Sequence, residues 1–382
     1  MNIYDQFGVR PIVNARGTHT RLGGSIMLPE VVAAMQEASQ SYVVLEELQE
    51  RASELIARAT GAEAGMVTGG AAAGLLLGGA ACITKGDPGS IERLPDTSGM
   101  KGTALMHRAH RNGYDHSLRA TGAGIVEFGY PHVTHQYQLE TAIDDDTALV
   151  MYMKSPWAAT GTLSLAQTCN VAHRQGVPVL VDAAATLPPA DNLRRFIEDG
   201  ADLVVFSGGK GLRGPQSSGI LAGREDLVRA AMMNGSPNHS IGRTAKAAKE
   251  DIVGLMVALD LYLQRDHEAD LTRWNRQAQW IASELGDFPG VNVSIRYDSE
   301  EYITPCVELA IDRVETGVDA HEFVQTLEAG DPRVFLIEWN GPSASQNNVT
   351  VCTHTMQEGD EEKVAAALKH ELILRLTAPV VA

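Results

Sequence analysis

"PVLVDAAATLPPADNLRRFIEDGADLVVFSGGK", residues 178–210, decides the fold. Two continuously apolar runs, "PVLVDAA" (178–184) and "ADLVVFS" (201–207), flank one amphipathic helix-length segment, "LRRFIEDG". Apolar runs without alternation are strands covered on both faces, and strands joined through helices read as parallel βαβ units. The pattern extends both ways. "ALVMYM" (148–153) and "LSLAQTCNVAHRQG" precede the stretch, and "GILAG" (219–223) and "REDLVRAAMM" follow it. Right-handed crossovers bring the C-terminal ends of such strands to one edge, where ligands of open α/β folds bind. The expectation is an α/β large domain over 46–255, built on a mostly parallel central sheet.

The flanks read differently. "GRTAKAAKEDIVGLMVALDLYL" (242–263) predicts a long connecting helix, with Ile252, Leu255, Met256, Leu259 and Leu263 on one face. Beyond it, a helix around 271–285, the runs "VNVSIRY", "CVELAI" and "VFLIEW", and a last helix near 360–377 predict a smaller α+β domain. Connector and small domain together span 256–382. Residues 1–45 hold no strong strand and read as an arm followed by a helix at 29–41. No internal repeat or low-complexity segment interrupts the chain.

The 382 residues carry 31 Lys+Arg against 48 Asp+Glu, a formal charge of −17, which argues against nucleic acid as an obligatory partner. Cys82, Cys169, Cys306 and Cys352 are far apart, with no CxxC, so reduced thiols and no metal site are expected. The start "MNIYDQFGVRPIVN" has no secretory pattern. The longest apolar stretch, "AAAGLLLGGAACI" (71–83), is glycine-broken and too short to span a bilayer. A cytoplasmic protein without a membrane partner is the expectation.

Three features of the middle region belong together. Asp182 ends one predicted strand; Ser207 and Lys210 follow the next; and "GMVTGGAAAGLLLGG" (65–79) turns from a strand through Thr-Gly-Gly into a helix starting near Ala71. Free N–H groups at a helix start hold phosphate. A carboxylate, a lysine and a phosphate cradle are the protein-side needs of pyridoxal 5'-phosphate. The lysine forms a Schiff base, and the carboxylate keeps the pyridine nitrogen protonated. Asp182 and Lys210 are 28 residues apart, about one βαβ unit. Singly, a strand-terminal Asp is an ordinary cap, a lysine an ordinary surface residue, and a Gly-rich turn common to many α/β folds. A dinucleotide site fits less well, since "TGGAAAG" is not GxGxxG and no acidic residue follows at the expected distance. Gly208, Gly209 and Gly211 around Lys210 are expected to leave room for the ring and its phosphate.

"VDAAATLPPADNL", "FSGGKGLRGPQSSGIL", "IGRTAKAAKEDIVGLMVAL" and "HRNGYDHSLRATGAGIVEFG" resemble the SelA-like group of fold-type-I pyridoxal phosphate enzymes. That group contains L-seryl-tRNA(Sec) selenium transferase and a D-glucosaminate-6-phosphate ammonia-lyase branch. "VRPIVNARGTHTRLGGS" is similar to the group's N-terminal arm, and "ACITKGDPGSIERLPDTSGMK" to the lyase branch in particular. The resemblance runs from about residue 8 to the final helix.

It implies that Lys210 carries the cofactor, Asp182 pairs with the pyridine nitrogen, and Gly69, Gly70, Ala71 and Ser207 hold the phosphate. His110, with His107 second, would stack on the ring. In "GRTAKAAKED" Arg243, counted with the cofactor-binding residues, and Lys246 remain as basic contacts that could also face a partner. Substrate-binding candidates are Arg16 and Arg21 (with His19) in the arm, Arg93 (with Asp96) in an insertion-like loop, and Arg333 before a small-domain strand. The reaction implied is α,β-elimination from a β-hydroxy amino acid, sugar-derived as in D-glucosaminate 6-phosphate, to a 2-oxo acid and ammonia. An aldolase, racemase or aminotransferase on the same scaffold stays open, as does a non-catalytic binding paralogue. A selenium transferase fits poorly with the acidic chain and with an arm that starts close to the core fold, leaving no room for a tRNA-binding domain. A homo-oligomer, at least a dimer with shared active sites, is implied as well.

Overall fold

A computed structural model describes residues 2–154, 161–298, 302–339 and 347–377. They form two compact units, a central one of residues 25–265 and a terminal one combining residues up to 24 with those from 266 on. Strand β1 (Val13–Asn14) lies in the terminal unit. Seven strands build one sheet in the central unit: β2 (Ala64–Thr68), β3 (Thr103–His107), β4 (Gly124–Phe128), β5 (Thr147–Met153), β6 (Val179–Asp182), β7 (Leu203–Ser207) and β8 (Gly219–Gly223).

Their order across the sheet is β2-β8-β7-β6-β5-β3-β4. β4, β3, β5, β6 and β7 are parallel, whereas β8 runs antiparallel to both β7 and β2. The sheet is mostly parallel, as expected, with β8 the antiparallel exception. This strand follows β7 through a loop rather than a helix, and only a crossover returns a chain to the starting edge. Because β8 is antiparallel to both neighbours, β2 points the same way as β7. The C-terminal ends of β2, β3, β5, β6 and β7 therefore share one edge.

The apolar runs become strands because both faces are buried. Val150, Val181, Val204 and Phe206 pack into one core with the helices Leu45–Thr60, Leu165–Arg174, Asn192–Glu198 and Lys249–Gln264. Leu149, Met151, Leu180, Leu203 and Val205 pack into another with the helices Ala71–Thr84 and Glu225–Asn234. Burying each of these side chains contributes roughly 1.5–3 kcal/mol. The helix expected over 242–263 starts only at Lys249. Before it, Arg243–Ala245 forms a short 3-10 turn. No helix among the described residues is long and apolar enough to cross a membrane.

In the terminal unit, β9 (Val291–Asp298), β10 (Tyr302–Ile311), β11 (Val334–Phe335), β12 (Ile337–Trp339) and β13 (Asn348–Cys352) accompany the helices His267–Leu285, Ala320–Ala329 and Asp360–Thr377. β12-β13-β10-β9 form an antiparallel sheet. The run "VFLIEW" splits at buried Leu336, since β11 pairs in parallel with β1 of the arm while β12 joins the sheet. β1 gives the arm a strand that its sequence does not announce. Val307, Leu309, Phe323, Leu336, Val351 and Leu368 form this unit's core.

Candidate active site

At the end of β2 the chain turns sharply. Gly70 has φ +106°, a conformation that side chains disfavour, and a Cβ there would meet nothing within 4 Å. Thr68 Oγ1 donates to the Gly70 carbonyl at 2.9 Å, and the Gly74 N–H bonds the same oxygen, opening the helix Ala71–Thr84. Its first-turn N–H groups have no intrahelical acceptors, and the turn itself is built only of glycine and alanine. Thr68, Gly219 and Ser207 lie side by side across β2, β8 and β7. Ser207 therefore reaches the same edge as the turn.

Lys210 follows Ser207 in a loop that closes on itself. Gly208 N–H bonds Ser218 O, Gly214 N–H bonds Gly208 O, and Arg213 N–H bonds Lys210 O. Ser25 Oγ donates to Gly209 O at 3.0 Å, and Arg213 Nε to Ile26 O at 2.8 Å. The loop glycines serve this packing rather than clearing space for a ring. A Cβ would lie 2.1 Å from Ser218 Oγ at Gly208, 2.4 Å from Gln216 Cα at Gly209, and 2.3 Å from Leu187 O at Gly211. The expectation about their role is corrected accordingly.

Asp182 ends β6 and is 6% exposed. Its Oδ1 accepts from the Ala184 N–H at 3.0 Å. Burial raises its carboxyl pKa, while that N–H and the charge of Lys210 draw it down. Burial likewise lowers the Lys210 ammonium, and the charge of Asp182 opposes this. The two side chains thus sense each other across adjacent strands.

His110 lies on the same edge. Its Nδ1 accepts from the Met153 N–H at 3.3 Å, and Met153 stands beside Asp182 in the sheet. The ring is 1% exposed and packs edge-on to Tyr152 at 4.7 Å and against His107 at 4.9 Å. His107 Nδ1 accepts from the Ala109 N–H, and its Nε2 meets Thr134 Oγ1, so the proton belongs on Nε2. Burial holds the His107 imidazolium pKa below its usual value.

The central unit therefore brings together Gly69, Gly70, Ala71, Ser207, Lys210, Asp182 and His110. Arg243 is exposed on the 3-10 turn packed against Gly69, where a Cβ would sit 2.6 Å from Ala245 O. Arg93 is not brought to this edge. It follows the far end of the helix Ala71–Thr84, bonding Ser98 O, and the next residues pack at Gly122, before the start of β4. Arg16, Arg21 and Arg333 belong to the terminal unit. Arg16 pairs with Glu328 at 3.5 Å, Arg333 Nε donates to Glu328 O at 2.8 Å and its guanidinium lies over Phe335, and Arg21 is exposed.

Two further groups of this edge escape a motif reading. Lys154 follows β5, and its N–H bonds Asp182 O at 2.9 Å. A polar residue ending an apolar run, the signal that marks Asp182, would have found it. Asn112 Nδ2 donates to His110 O at 2.9 Å and contacts Met153 Sδ, and Asn112 shares a small cavity with Asp182, Tyr114 and Asp115. No sequence signal marks that role.

Pyridoxal phosphate suits this donor set. The turn at Gly70 opens on uncapped N–H groups, and the buried Asp182 carboxylate, which pairs with no arginine among the described residues, suits a cationic partner. The comparisons agree. The SelA family, L-seryl-tRNA selenium transferase, matches residues 113–274. D-glucosaminate-6-phosphate ammonia lyase of Salmonella typhimurium is 32% identical over 373 residues, covering 96% of this chain and 97% of that one. A 5'-C-glycyluridine monooxygenase-decarboxylase of a Streptomyces species is 30% identical over 383 residues, covering 98% and 93%. A solved structure of D-glucosaminate-6-phosphate ammonia-lyase superposes with a TM-score of 0.84 at 31% identity, covering 98% of this chain and 99% of that one. Solved pyridoxal phosphate enzymes of much lower identity share the fold alone.

Fold and site define a fold-type-I, pyridoxal phosphate-dependent enzyme of the lyase type. Within that class, the chain belongs to the SelA-like family that includes D-glucosaminate-6-phosphate ammonia lyase.

Proposed function

We propose that this enzyme is an ammonia-lyase that eliminates the β-hydroxyl of a sugar-derived β-hydroxy amino acid of the D-glucosaminate 6-phosphate type, yielding a 2-oxo acid and ammonia. The observation that carries this reading is the full-length likeness, in sequence and fold, to D-glucosaminate-6-phosphate ammonia lyase. Pyridoxal phosphate, when bound, supplies the electron sink that makes an amino acid's Cα–H acidic.

The N–H groups after Gly70, with Ser207, would hold the phosphate. Asp182 would hold the pyridine nitrogen, and His110 the ring. Burial keeps Lys210 Nζ uncharged at a lower pH than a surface lysine, in the form that bonds an aldehyde and accepts the Cα proton. The same Nζ, once protonated, returns a proton to the departing β-hydroxyl, which leaves as water. Lys154 and Arg243 are the central unit's candidates for the substrate's anionic groups.

The test is incubation with D-glucosaminate 6-phosphate under argon and in air, with ammonia and 2-oxo acid measured. Equal ammonia release in both supports elimination. Release only in air, with carbon dioxide, favours the second reading that the monooxygenase-decarboxylase relative supports. No product in either sinks the assignment.

We also infer a cytoplasmic homo-oligomer, at least a dimer. Ile26, Val32, Tyr42, Val43 and Val44 are exposed apolar side chains of the central unit, with Tyr42 wholly in solvent. A second copy covering them would explain their exposure. Light scattering that gives a monomer would refute this.

A further inference from the structure

The four cysteines are not equivalent. Cys82 and Cys169 are buried singly, and burial pushes both thiols up to about 12, where they stay protonated and unreactive. Cys306 and Cys352 instead stand directly opposite each other on β10 and β13, each 5% exposed, with their Sγ atoms 3.5 Å apart. The Cys352 N–H donates to Ala15 O at 2.7 Å, outside the β10–β13 ladder. The two cysteines therefore form a non-hydrogen-bonded pair, the position where Cα atoms approach to about 4.5 Å and side chains come closest. That separation falls within the span of about 4.4–6.8 Å that disulfides bridge.

Closing the gap to a bond of about 2.05 Å asks the sulfurs to approach by about 1.5 Å. The neighbourhood permits it. The pairing of β10 with β9 is irregular between Tyr302 and Cys306, and Pro305 offers no N–H to hold the strand. Over Cys352 the arm contributes Gly17, whose missing Cβ would lie 3.9 Å from the sulfur, so Gly17 itself puts no side chain against it.

We propose that Cys306 and Cys352 form a redox-active dithiol site, which hydrogen peroxide closes to a disulfide and a thiol reductant reopens. Cys306 is the attacking sulfur. The hydrogen bond shared between the two sulfurs holds its thiol below the usual pKa, while Cys352 is held well above. The Cys306 thiolate attacks one peroxide oxygen, the O–O bond breaks, and the departing hydroxide takes the proton that the thiol released. The Cys352 sulfur then attacks the sulfenic sulfur, the S–O bond breaks, and the second water leaves with the Cys352 proton. Two thiols and one peroxide give one disulfide and two waters, with two electrons passing from sulfur to oxygen. The bond also ties β13, which carries Ala15 and the arm through the Cys352 amide, covalently to β10.

The experiment uses the full-length holoenzyme, reduced, desalted and exposed to hydrogen peroxide, then denatured, alkylated with N-ethylmaleimide and mapped by mass spectrometry. The expected result is a linked pair of peptides carrying Cys306 and Cys352, which both lose their label while Cys82 and Cys169 keep theirs. Dithiothreitol restores the label. In Cys352→Ser, Cys306 stops at a sulfenic acid that dimedone traps. Full labelling of Cys306 and Cys352 after the peroxide has oxidised surface methionines would overturn the proposal. So would Cys306 sulfinic acid without a link to Cys352. The wild-type map stands even if the variant does not fold.

Discussion

Asp182 ends β6, Lys210 lies in the loop that follows the adjacent parallel strand β7, and the two act on each other's proton. Burial pushes the carboxyl up and the ammonium down, and each one's charge pulls the other back. The lysine is left more readily neutral than in water, next to a carboxylate that still favours its charged form.

The pH dependence of cofactor capture follows from that balance. Only neutral Lys210 attacks an aldehyde, so uptake of pyridoxal phosphate by apoenzyme should titrate with a midpoint below the ordinary lysine value of 10.5. In Asp182→Asn the opposing charge is gone, and the midpoint should fall further. Stopped-flow absorbance across pH measures it. A midpoint that rises in the variant would show that the two groups do not communicate.

Lys210→Ala should lose turnover by about 10²–10⁴-fold, and borohydride should no longer fix the cofactor to the peptide 206–219. The fold should persist, because the backbone of the lysine loop is held by its own hydrogen bonds rather than by this side chain. Full activity in the variant would refute the assignment of Lys210.

Gly69→Ala places a methyl 2.6 Å from Ala245 O, a backbone atom that cannot rotate away. The overpacking should cost about 1–3 kcal/mol and raise the dissociation constant for pyridoxal phosphate at least about tenfold, equivalent to 1.4 kcal/mol. Gly124→Ala, where nothing lies within 4 Å, is the control and should leave both unchanged. Equilibrium dialysis and thermal melting compare the two variants.

Acid should weaken the terminal unit through His354. Burial, aided by His19, lowers its pKa from 6.5 to about 4, and its Nδ1 meets Thr304 Oγ1. A folded pKa below the unfolded one means that the unfolded chain binds the proton first. Stability is therefore full above pH 6.5 and declines as the pH falls toward 4. His354→Asn should flatten that part of the curve of melting temperature against pH. Parallel curves for wild type and variant would count against it.

Much of the central unit was legible because burial on both faces leaves a mark that needs no partner to read. "ALVMYM", "VLVD" and "LVVFS" are apolar without alternation, and each is a strand of the sheet. The direction of β8 was not legible, since "GILAG" carries no trace of whether a loop or a helix delivers it. β13 escaped notice in "NVTVC", a short run that becomes a strand only by pairing with β10 and β12. Arg93 shows the converse failure. Its insertion-like loop suggested a substrate contact, but the length of the helix Ala71–Thr84 carries the chain to the opposite edge before Arg93 is reached.

By itself the sequence determined which chemical groups end or follow the strands, namely Asp182 and Ser207 at their ends and Lys210 just beyond, and the glycine turn that starts a helix. Those are local choices, written in residue type and spacing. Tertiary structure alone decided that β8 turns back to align Thr68, Gly219 and Ser207, that Gly208, Gly209 and Gly211 of the lysine loop pack against Ser218, Gln216 and Leu187, and that Cys306 meets Cys352. Strand direction and register come from hydrogen bonds between distant segments, and no spacing along the chain encodes which partner a strand will find.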